Sequence, residues 1–380
     1  MKKAHLSSSP VMLLPDIHRR SADISILLAR LNQYSREMRK LDSQSNTRLL
    51  VIGSTDHFQA ENISLSDFES LTVEIVDGTS GWLKFNYYAW SILRKRGAVP
   101  SILIAGDPWF GFLSCVFLKF CHKFSPRIQV QVHGDLYKFS KSKGFSEFLK
   151  VIFFNLEILT ADSIRCVSDH QKSDLRKRFH FQKDKIFVAP IPINEIYYSA
   201  GLNGDRKLIG FVGRLHPERG IVQMTELILS MLDHFPKYEI HIVGDGPARS
   251  EMEATFREIE GAKVYFHGWL QPAELVSIFE KMEVMVSTAP SEGYGMALRE
   301  SLVCGVPVVA RNSPGVLQAA LDFPGEIGVF ESVDEAISEI KKSIANPISS
   351  SRVNEIRTFQ REIDDFHVQS LSESWIVKYP

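Results

Sequence analysis

The segment LIGFVGRLHPERG, residues 208–220, decides the fold class of this chain. Its apolar half, residues 208–212, has the composition of a buried β-strand, and Gly213 ends that strand with a turn. The residues that follow, 221–235, are predicted to form a helix. A strand, a glycine turn and a helix in this order are the repeating unit of parallel α/β folds.

The same alternation of short β-branched runs and helical stretches extends along the chain in both directions. Before residue 208 the predicted strands are 11–14, 49–53, 73–76, 102–105, 128–132, 164–167 and 186–189. The helices between them are 24–41, 82–96, 110–124, 145–159 and 170–178, the last with Ser168 as its N-cap. After residue 212 the predicted strands are 239–243, 263–267, 284–287 and 306–310, and the helices are 247–260, 272–281 and 296–304. We therefore predict the α/β class, with parallel sheets in series.

A break in this alternation marks a domain boundary. Pro190 and Pro192 lead into the glycine- and asparagine-containing stretch 201–205, after which the strand–helix pattern restarts. We predict an N-terminal domain over 1–195, a C-terminal domain over 196–360 and a closing segment over 361–380. Within it, the apolar residues of 365–379 approximate an amphipathic helix, which packs back on the N-terminal domain or closes its own.

Charge is distributed unevenly over the two halves. Residues 1–195 hold 27 Lys and Arg against 19 Asp and Glu, a net charge of +8, whereas the remainder holds 17 against 26, a net charge of −9. The basic half indicates an anionic partner, such as a phospholipid surface or a phosphate-linked acceptor, or it reflects ordinary surface composition. Helices 110–124 and 145–159, flanked by Lys119, Lys123, Lys141, Lys143 and Lys150, are candidates for such a membrane-facing surface.

Nothing in the sequence predicts membrane insertion or export. No apolar run reaches the roughly 20 residues that span a bilayer, and the apolar stretch 11–14 ends at Pro15, too short for a signal peptide. Four cysteines, Cys115, Cys121, Cys166 and Cys304, lack metal-binding spacing, so we expect reduced, buried thiols. We predict a cytoplasmic protein, in some conditions peripheral on the inner face of the plasma membrane, with no nucleic acid as partner.

The stretch SEGYGMALRE, residues 291–300, carries the strongest chemical signal. Glu292 and Glu300 stand eight residues apart around Gly293 and Gly295, between a buried strand and a helix. The glycines allow a tight turn, after which the amides of Tyr294, Gly295 and Met296 point outward at a helix start that favours a diphosphate. Glu300 suits a ribose diol and Glu292 suits sugar hydroxyls; the alternative is a pair of solvated acids.

Two cations complete this chemistry. Arg214 follows the strand at Gly213, and Arg219 precedes Gly220. Guanidinium groups at a strand end can neutralise a diphosphate and the charge that develops as it leaves, although surface arginines at a loop are the simpler alternative.

In this order the two stretches resemble the retaining glycosyltransferases of family 4, which have the GT-B fold. The likeness runs from about His133 to Ala310 and includes the Gly244-Asp245-Gly246-Pro247 turn, Phe266-His267-Gly268 and the Glu-x7-Glu motif. It implies two Rossmann-like domains that face each other across a cleft, with an acceptor domain first and a nucleotide-sugar donor domain second.

The resemblance also implies roles for single residues. Arg214 and Arg219 would bind the donor diphosphate, where the family usually has Lys at the second position. Gly268, Trp269 and Leu270 would line the nucleobase pocket, or Trp269 would belong to the core. His133, after the strand 128–132, would bond a hydroxyl of the reacting sugar, or it is structural.

One departure from the family lies near the N-terminus. Members carry a Gly-Gly loop after the first strand, whereas this chain reads PDIHRRS over residues 15–21. Arg19 and Arg20 would contact an anionic acceptor or form a solvated loop. Asp107 and Trp109, after the strand 102–105, would face the same acceptor, or Trp109 packs in the core.

The resemblance implies a metal-independent, retaining transferase without a cofactor. Its donor would be a UDP- or GDP-sugar and its acceptor a glycan, a lipid-linked molecule or another compound, in cell-surface polysaccharide or glycolipid biosynthesis. No two aspartates stand two residues apart, so the metal-binding Asp-x-Asp of other transferases is absent. The alternative is a catalytically impaired nucleotide-sugar- or glycan-binding protein of the same fold; an epimerase is a third reading, and a phosphorylase is disfavoured because no pyridoxal-binding lysine motif is present.

Overall fold

The fold is described from a computed structural model of the 380-residue chain. The structure describes residues 9–15, 21–41, 48–54, 69–76, 81–97, 100–106, 110–121, 126–133, 144–201 and 206–376. Within these ranges the side chains of 21–26, 54 and 144–150 are not described.

The chain divides into two compact units. The first comprises Met1–Pro192 together with Asp365–Pro380, and the second comprises Ile193–Asp364. Each unit is built around one parallel sheet.

The first sheet has seven described strands in the order β3-β2-β1-β4-β5-β6-β7. Their bounds are β1 Val11–Leu14, β2 Leu49–Ser54, β3 Leu71–Val76, β4 Ile102–Ala105, β5 Arg127–Val132, β6 Ser163–Cys166 and β7 Ile186–Val188. The connecting helices are α1 Ser21–Leu41, α2 Gly81–Arg96, α3 Phe110–Cys121, α4 Gly144–Thr160 and α5 Asp169–Arg178, and a 3₁₀ turn covers His180–Lys185.

Both faces of this sheet are covered, as its near-continuous apolar strands predict. Successive strand residues point to opposite faces, so Val11 and Leu13 enter one core while Met12 and Leu14 enter the other. The first core is packed by buried residues of four helices, namely Phe85, Phe112, Phe154 and Leu175. The second is packed by α1 and by the chain's last helix, through Leu28, Val368, Leu371 and Trp375.

That last helix, α12, runs over Ser350–Trp375, so it begins in the second unit and ends in the first. Trp375 is almost completely buried, with its ring edge-on to Tyr34 at 5.8 Å. Its indole N–H donates to Gln129 Oε1 at 2.9 Å, which satisfies the one polar atom of the buried ring.

The second sheet has six described strands in the order β10-β9-β8-β11-β12-β13. They are β8 Leu208–Val212, β9 Glu239–Val243, β10 Val264–Gly268, β11 Met282–Ser287, β12 Val308–Arg311 and β13 Ile327–Phe330. The helices between and after them are α6 Ile221–His234, α7 Arg249–Arg257, α8 Pro272–Phe279, α9 Met296–Val303, α10 Pro314–Asp322 and α11 Val333–Ala345.

The α/β class and the parallel sheets are confirmed, and Ser168 caps α5 by accepting from the amide of Gln171 at 3.3 Å. Two helices and one strand went unpredicted, α10, α11 and β13, and α12 begins at Ser350, 15 residues before the predicted start at 365. The signal for α11 was present, because Ser332 caps it and Glu335 follows three residues later. Strand β13 is only four residues long and half-buried, so its sequence carries little signal.

Two further findings concern the cysteines and membrane insertion. Cys115, Cys166 and Cys304 are buried free thiols, but Cys121 is exposed, so the prediction that all four are buried is wrong for Cys121. Cys121 ends α3, where the helix leaves the sheet. Across the described residues, none of the helices has both the length and the apolar character required to cross a bilayer.

Candidate active site

Three of the residues predicted to bind a donor, Gly213, Arg214 and Arg219, lie at the carboxyl end of β8, which neighbours β11 in the second sheet. A shallow pocket opens there. Its wall combines the end of β8 with the turn after it, the start of α6 and the residues after β11, including Gly213, Arg214, Arg219, Ser287, Thr288 and Ala289. Ligands of open α/β sheets bind at this edge.

Arg219 and Glu292 form an ion pair beside this pocket. The guanidinium Nη2 donates to Glu292 Oε1 at 2.5 Å, with side chains only 22% and 9% exposed. Because both groups are largely shielded from solvent, their attraction is screened less than that of a surface pair. The basic motif and the acidic motif of the sequence therefore belong to one site.

Arg214 lines the same pocket but has a different partner. Its guanidinium donates to Glu218 at 2.9 Å, and its side chain is 72% exposed. An exposed pair of this kind contributes little to stability, so the guanidinium can exchange its carboxylate for another anion at low cost.

The start of α9 has the geometry predicted for residues 293–296. Gly295 is the N-cap with φ of 74°, in the left-handed region that favours glycine. Gly295 has no side chain that could cap this helix, and the first amides carry the positive end of the helix dipole. Of the described residues, Gly293 to Met296 are not among those that line the pocket. Arg219 lines it, and its partner Glu292 directly precedes Gly293 in the chain.

The side chain of Tyr294 points into the protein. It is 8% exposed, its ring lies 4.1 Å from the guanidinium carbon of Arg299, and burial raises the pKa of its hydroxyl. Any donor contact by Tyr294 would therefore come from its backbone amide, as predicted, while the ring anchors the turn.

The glycine turn Gly244–Gly246 packs directly against the arginine loop. A Cβ on Gly244 would lie 1.9 Å from the carbonyl oxygen of Gly213, and one on Gly246 would lie 2.2 Å from that of Leu215. The amide of Gly244 also donates to the carbonyl of Gly268 at 2.7 Å. Only glycine permits this approach, so the turn sets the position of Arg214 from the side of β9 and β10.

The remaining predicted residues are less constrained. Gly268 ends β10, and Trp269 and Leu270 follow it half-buried, with Leu270 packed on the core. Glu300 lies half-buried in α9, one turn after Gly295. His133 follows β5 in the first unit and is exposed, and Arg19, Arg20, Asp107 and Trp109 lie outside the described residues. The sugar and acceptor roles of these residues stay predictions.

Sequence reasoning missed the residue that supports the whole turn, Arg299. It is completely buried, and it donates to the carbonyl of Tyr294 at 3.3 Å, to Gln360 Oε1 at 3.1 Å and to the carboxylate of Asp322. The signal was its helical position: Arg299 precedes Leu302 by three residues and Val303 by four, so it lies on the buried face of α9.

Comparison with known proteins identifies the second unit as similar to a glycosyltransferase family. The sequence model of the family "Glycosyl transferases group 1" matches residues 193–358, which are the second unit almost in full. The pocket, the Arg219–Glu292 pair and the start of α9 all lie within the matched residues.

Relatives and solved structures agree with that identification. The sulfoquinovosyl transferase SQD2 of Arabidopsis thaliana is 32% identical over 112 residues, which are 30% of this chain and 21% of that protein. Sucrose-phosphate synthase from Thermosynechococcus elongatus superposes with a TM-score of 0.71 at 14% identity, covering 97% of this chain and 98% of the other. HepE from Anabaena, in complex with UDP and glucose, superposes with a TM-score of 0.69 at 15% identity, covering 96% and 99%.

These likenesses differ in reach. The structural ones extend over both units and confirm the GT-B fold. The sequence relatives align with only part of this chain, 30% of it for SQD2 and 38% of it for a 2-deoxystreptamine glucosyltransferase from Streptomyces kanamyceticus. The aligned part spans 21% and 40% of the length of those two proteins, well under two thirds.

Proposed function

We propose that the whole chain is a glycosyltransferase that takes a sugar from a nucleotide-sugar donor bound by its second unit. The observation that carries the proposal is the Arg219–Glu292 pair, which joins the pocket of the second sheet to the start of α9. A diphosphate needs concentrated positive charge and directed N–H donors, and this edge of the sheet offers both.

In this proposal each group acts at a stated part of the donor. The amides at the start of α9 and the guanidinium groups of Arg214 and Arg219 bind the diphosphate and stabilise the charge that grows on it as the glycosidic bond breaks. Glu292 accepts from sugar hydroxyls and holds Arg219, and Glu300 accepts from the ribose diol. His133 bonds a hydroxyl of the transferred sugar.

Two finer statements belong to the same proposal. The transfer retains the anomeric configuration, with the leaving diphosphate helping to deprotonate the acceptor on the same face, and it needs no divalent cation because two guanidinium groups and a helix start supply the electrostatic stabilisation. Support for a UDP-type donor comes from HepE, whose structure holds UDP and glucose. The acceptor is a glycan or a lipid-linked molecule, and the transfer takes place on the cytoplasmic side of a membrane.

A donor screen tests the proposal. The full chain is heated with each member of a panel of UDP- and GDP-sugars, because a ligand that binds only the folded state raises the unfolding temperature. The donor that does so is then incubated with lipid-linked and soluble acceptors, with and without a chelator, while nucleoside diphosphate release and the product's anomeric configuration are measured. Binding without turnover across the acceptors would favour the alternative, a sugar-nucleotide-binding protein, and no stabilisation by any donor would refute both.

A further inference from the structure

The first unit exposes apolar side chains at an edge of its sheet that the proposed chemistry does not use. Among the large hydrophobic side chains of the described residues, the two highest exposures are those of Phe120, 87%, and Phe181, 85%. Phe120 lies at the end of α3 and Phe181 lies in the 3₁₀ turn after α5. Each precedes the next strand of the sheet, so both lie at the amino edge, where parallel strands begin.

Polar contacts bind these helix ends into one surface. Lys119 of α3 pairs with Asp162, just after α4, at 3.0 Å. Gln182 donates to the carbonyl of Leu159, at the end of α4, at 2.7 Å. Leu159, itself 44% exposed, thus lies between the two phenylalanines. We call Phe120, Leu159, Phe181 and the cations Arg176, Lys177, Arg178, Lys183 and Lys185 the amino-edge surface.

This surface is strongly basic. Residues 176–185, RKRFHFQKDK, hold five Lys and Arg against one Asp, a net charge of +4 with histidine neutral. The acids next to it are already engaged in part, since Asp174 pairs with His170 and Asp162 with Lys119. A shallow groove lined by Asp169, Lys172, Ser173, Arg176, Lys177 and His180 extends along α5 from the carboxyl edge of the sheet toward this surface.

The combination fits one kind of partner. Exposed aromatic and aliphatic side chains that stand among solvated cations match the boundary of an anionic bilayer, where apolar groups enter the acyl region and cations meet phosphates. We propose that the amino-edge surface binds anionic phospholipid, with Phe120 and Phe181 inserted and the cations at the end of α5 and in the 3₁₀ turn in contact with headgroup phosphates. His133 lies at the other end of β5, a strand of six residues and thus about 20 Å long. The membrane therefore binds without covering the edge of the sheet that carries His133.

Vesicle co-sedimentation of the full chain tests this surface. We expect binding to vesicles of three parts phosphatidylcholine to one part phosphatidylglycerol at low salt, and strong weakening both at high salt and with phosphatidylcholine alone. An absence of binding to the anionic vesicles would overturn the proposal. The proposal would be overturned in the same way if the surface bound a protein and not the vesicles.

Substitutions locate the binding. Phe181→Ser should lower the partition coefficient by roughly fivefold, whereas Phe366→Ser should leave it unchanged. Phe366 is a matched control, 67% exposed on α12, which packs on the opposite face of the same sheet. Equal effects of the two substitutions would overturn the assignment.

Charge reversal gives an independent arm. Lys177→Glu with Lys183→Glu should lower the partition coefficient by at least about tenfold, whereas Lys237→Glu with Lys263→Glu makes the same change of net charge on the second unit and should have a much smaller effect. All four lysines are exposed. Unfolding temperature and nucleotide binding are measured alongside, so a failure of the membrane inference is distinguishable from a failure of the proposed function.

Discussion

Arg219 donates a hydrogen bond to Glu292 across 2.5 Å, although the two residues are 73 positions apart in the chain. The contact joins the loop after β8 to the loop after β11. A guanidinium has five N–H donors, so Arg219 can hold Glu292 and still bind a phosphate oxygen. The ion pair thereby fixes a cation at the mouth of the pocket before a ligand arrives.

Removing this cation should weaken nucleoside diphosphate binding. For Arg219→Ala we expect roughly a 10- to 100-fold loss of affinity, since a charge-assisted hydrogen bond contributes about 1.5–3 kcal/mol. Isothermal titration with the diphosphate of the donor found in the screen measures it. Arg257→Ala, at the exposed end of α7, is the control; a similar loss there would indicate a general charge effect.

Arg214 offers a test in which the control substitution, at its partner Glu218, is not expected to weaken binding. Arg214→Ala should also weaken diphosphate binding, by roughly tenfold. Glu218→Gln removes the carboxylate that pairs with Arg214, so it should leave affinity equal or higher. Titration of both variants with the same ligand decides the question, and unchanged affinity in Arg214→Ala would exclude a role in diphosphate binding.

Glu300 is predicted to bind the ribose and not the phosphates. Glu300→Ala should therefore weaken binding of a nucleoside diphosphate by roughly tenfold while hardly changing that of free pyrophosphate. Titrations with the two ligands are compared on the same protein. An equal loss for both would contradict the ribose assignment.

The buried Arg299 should control the stability of the second unit. The substitution Asp322→Ala removes the carboxylate that pairs with the completely buried guanidinium of Arg299. We expect a loss of about 3 kcal/mol in the free energy of unfolding. Denaturant unfolding measures it. Glu355→Ala breaks a surface pair with Arg352 and should cost less than about 1 kcal/mol; comparable losses would show that Arg299 does not depend on its partner.

Asp364 should make stability depend on pH. Burial raises the pKa of its carboxyl from 3.8 to about 6, although Ile193, Tyr198 and Gln360 donate hydrogen bonds to it. Between those two values the folded chain binds more protons than the unfolded chain, so this carboxyl stabilises the fold as pH falls through about 6 and the stabilisation is lost as pH rises.

The measurement compares the unfolding free energy of the wild type and of Asp364→Asn from pH 7 down to pH 4. The difference between the two proteins should change by roughly 2–3 kcal/mol over this window. Asp365→Asn, an exposed neighbour, should follow the wild type. A pH-independent difference between Asp364→Asn and wild type would refute the raised pKa.

The sequence determined much of the fold because its signals are local. Short apolar strands such as 208–212 and helix caps such as Ser168 are read from a few adjacent residues, and they were predicted with bounds within a few residues. Glycine at 213, 244 and 295 marked the turns of the site, since tight approach and left-handed backbone favour this residue alone. Chemistry at the motif level, two acids and two arginines near a helix start, was likewise contained in the sequence.

Only the tertiary structure decided which groups touch. The sequence placed Arg219 and Arg214 in the same role, but folding pairs the first with Glu292 in a shielded contact and the second with Glu218 at the surface. The helical position of Arg299 indicated a buried side chain, but only the folded chain shows that it supports the turn through Asp322 and Gln360. Such contacts join segments tens of residues apart, and their energies depend on burial and distance, which no local pattern of residues specifies.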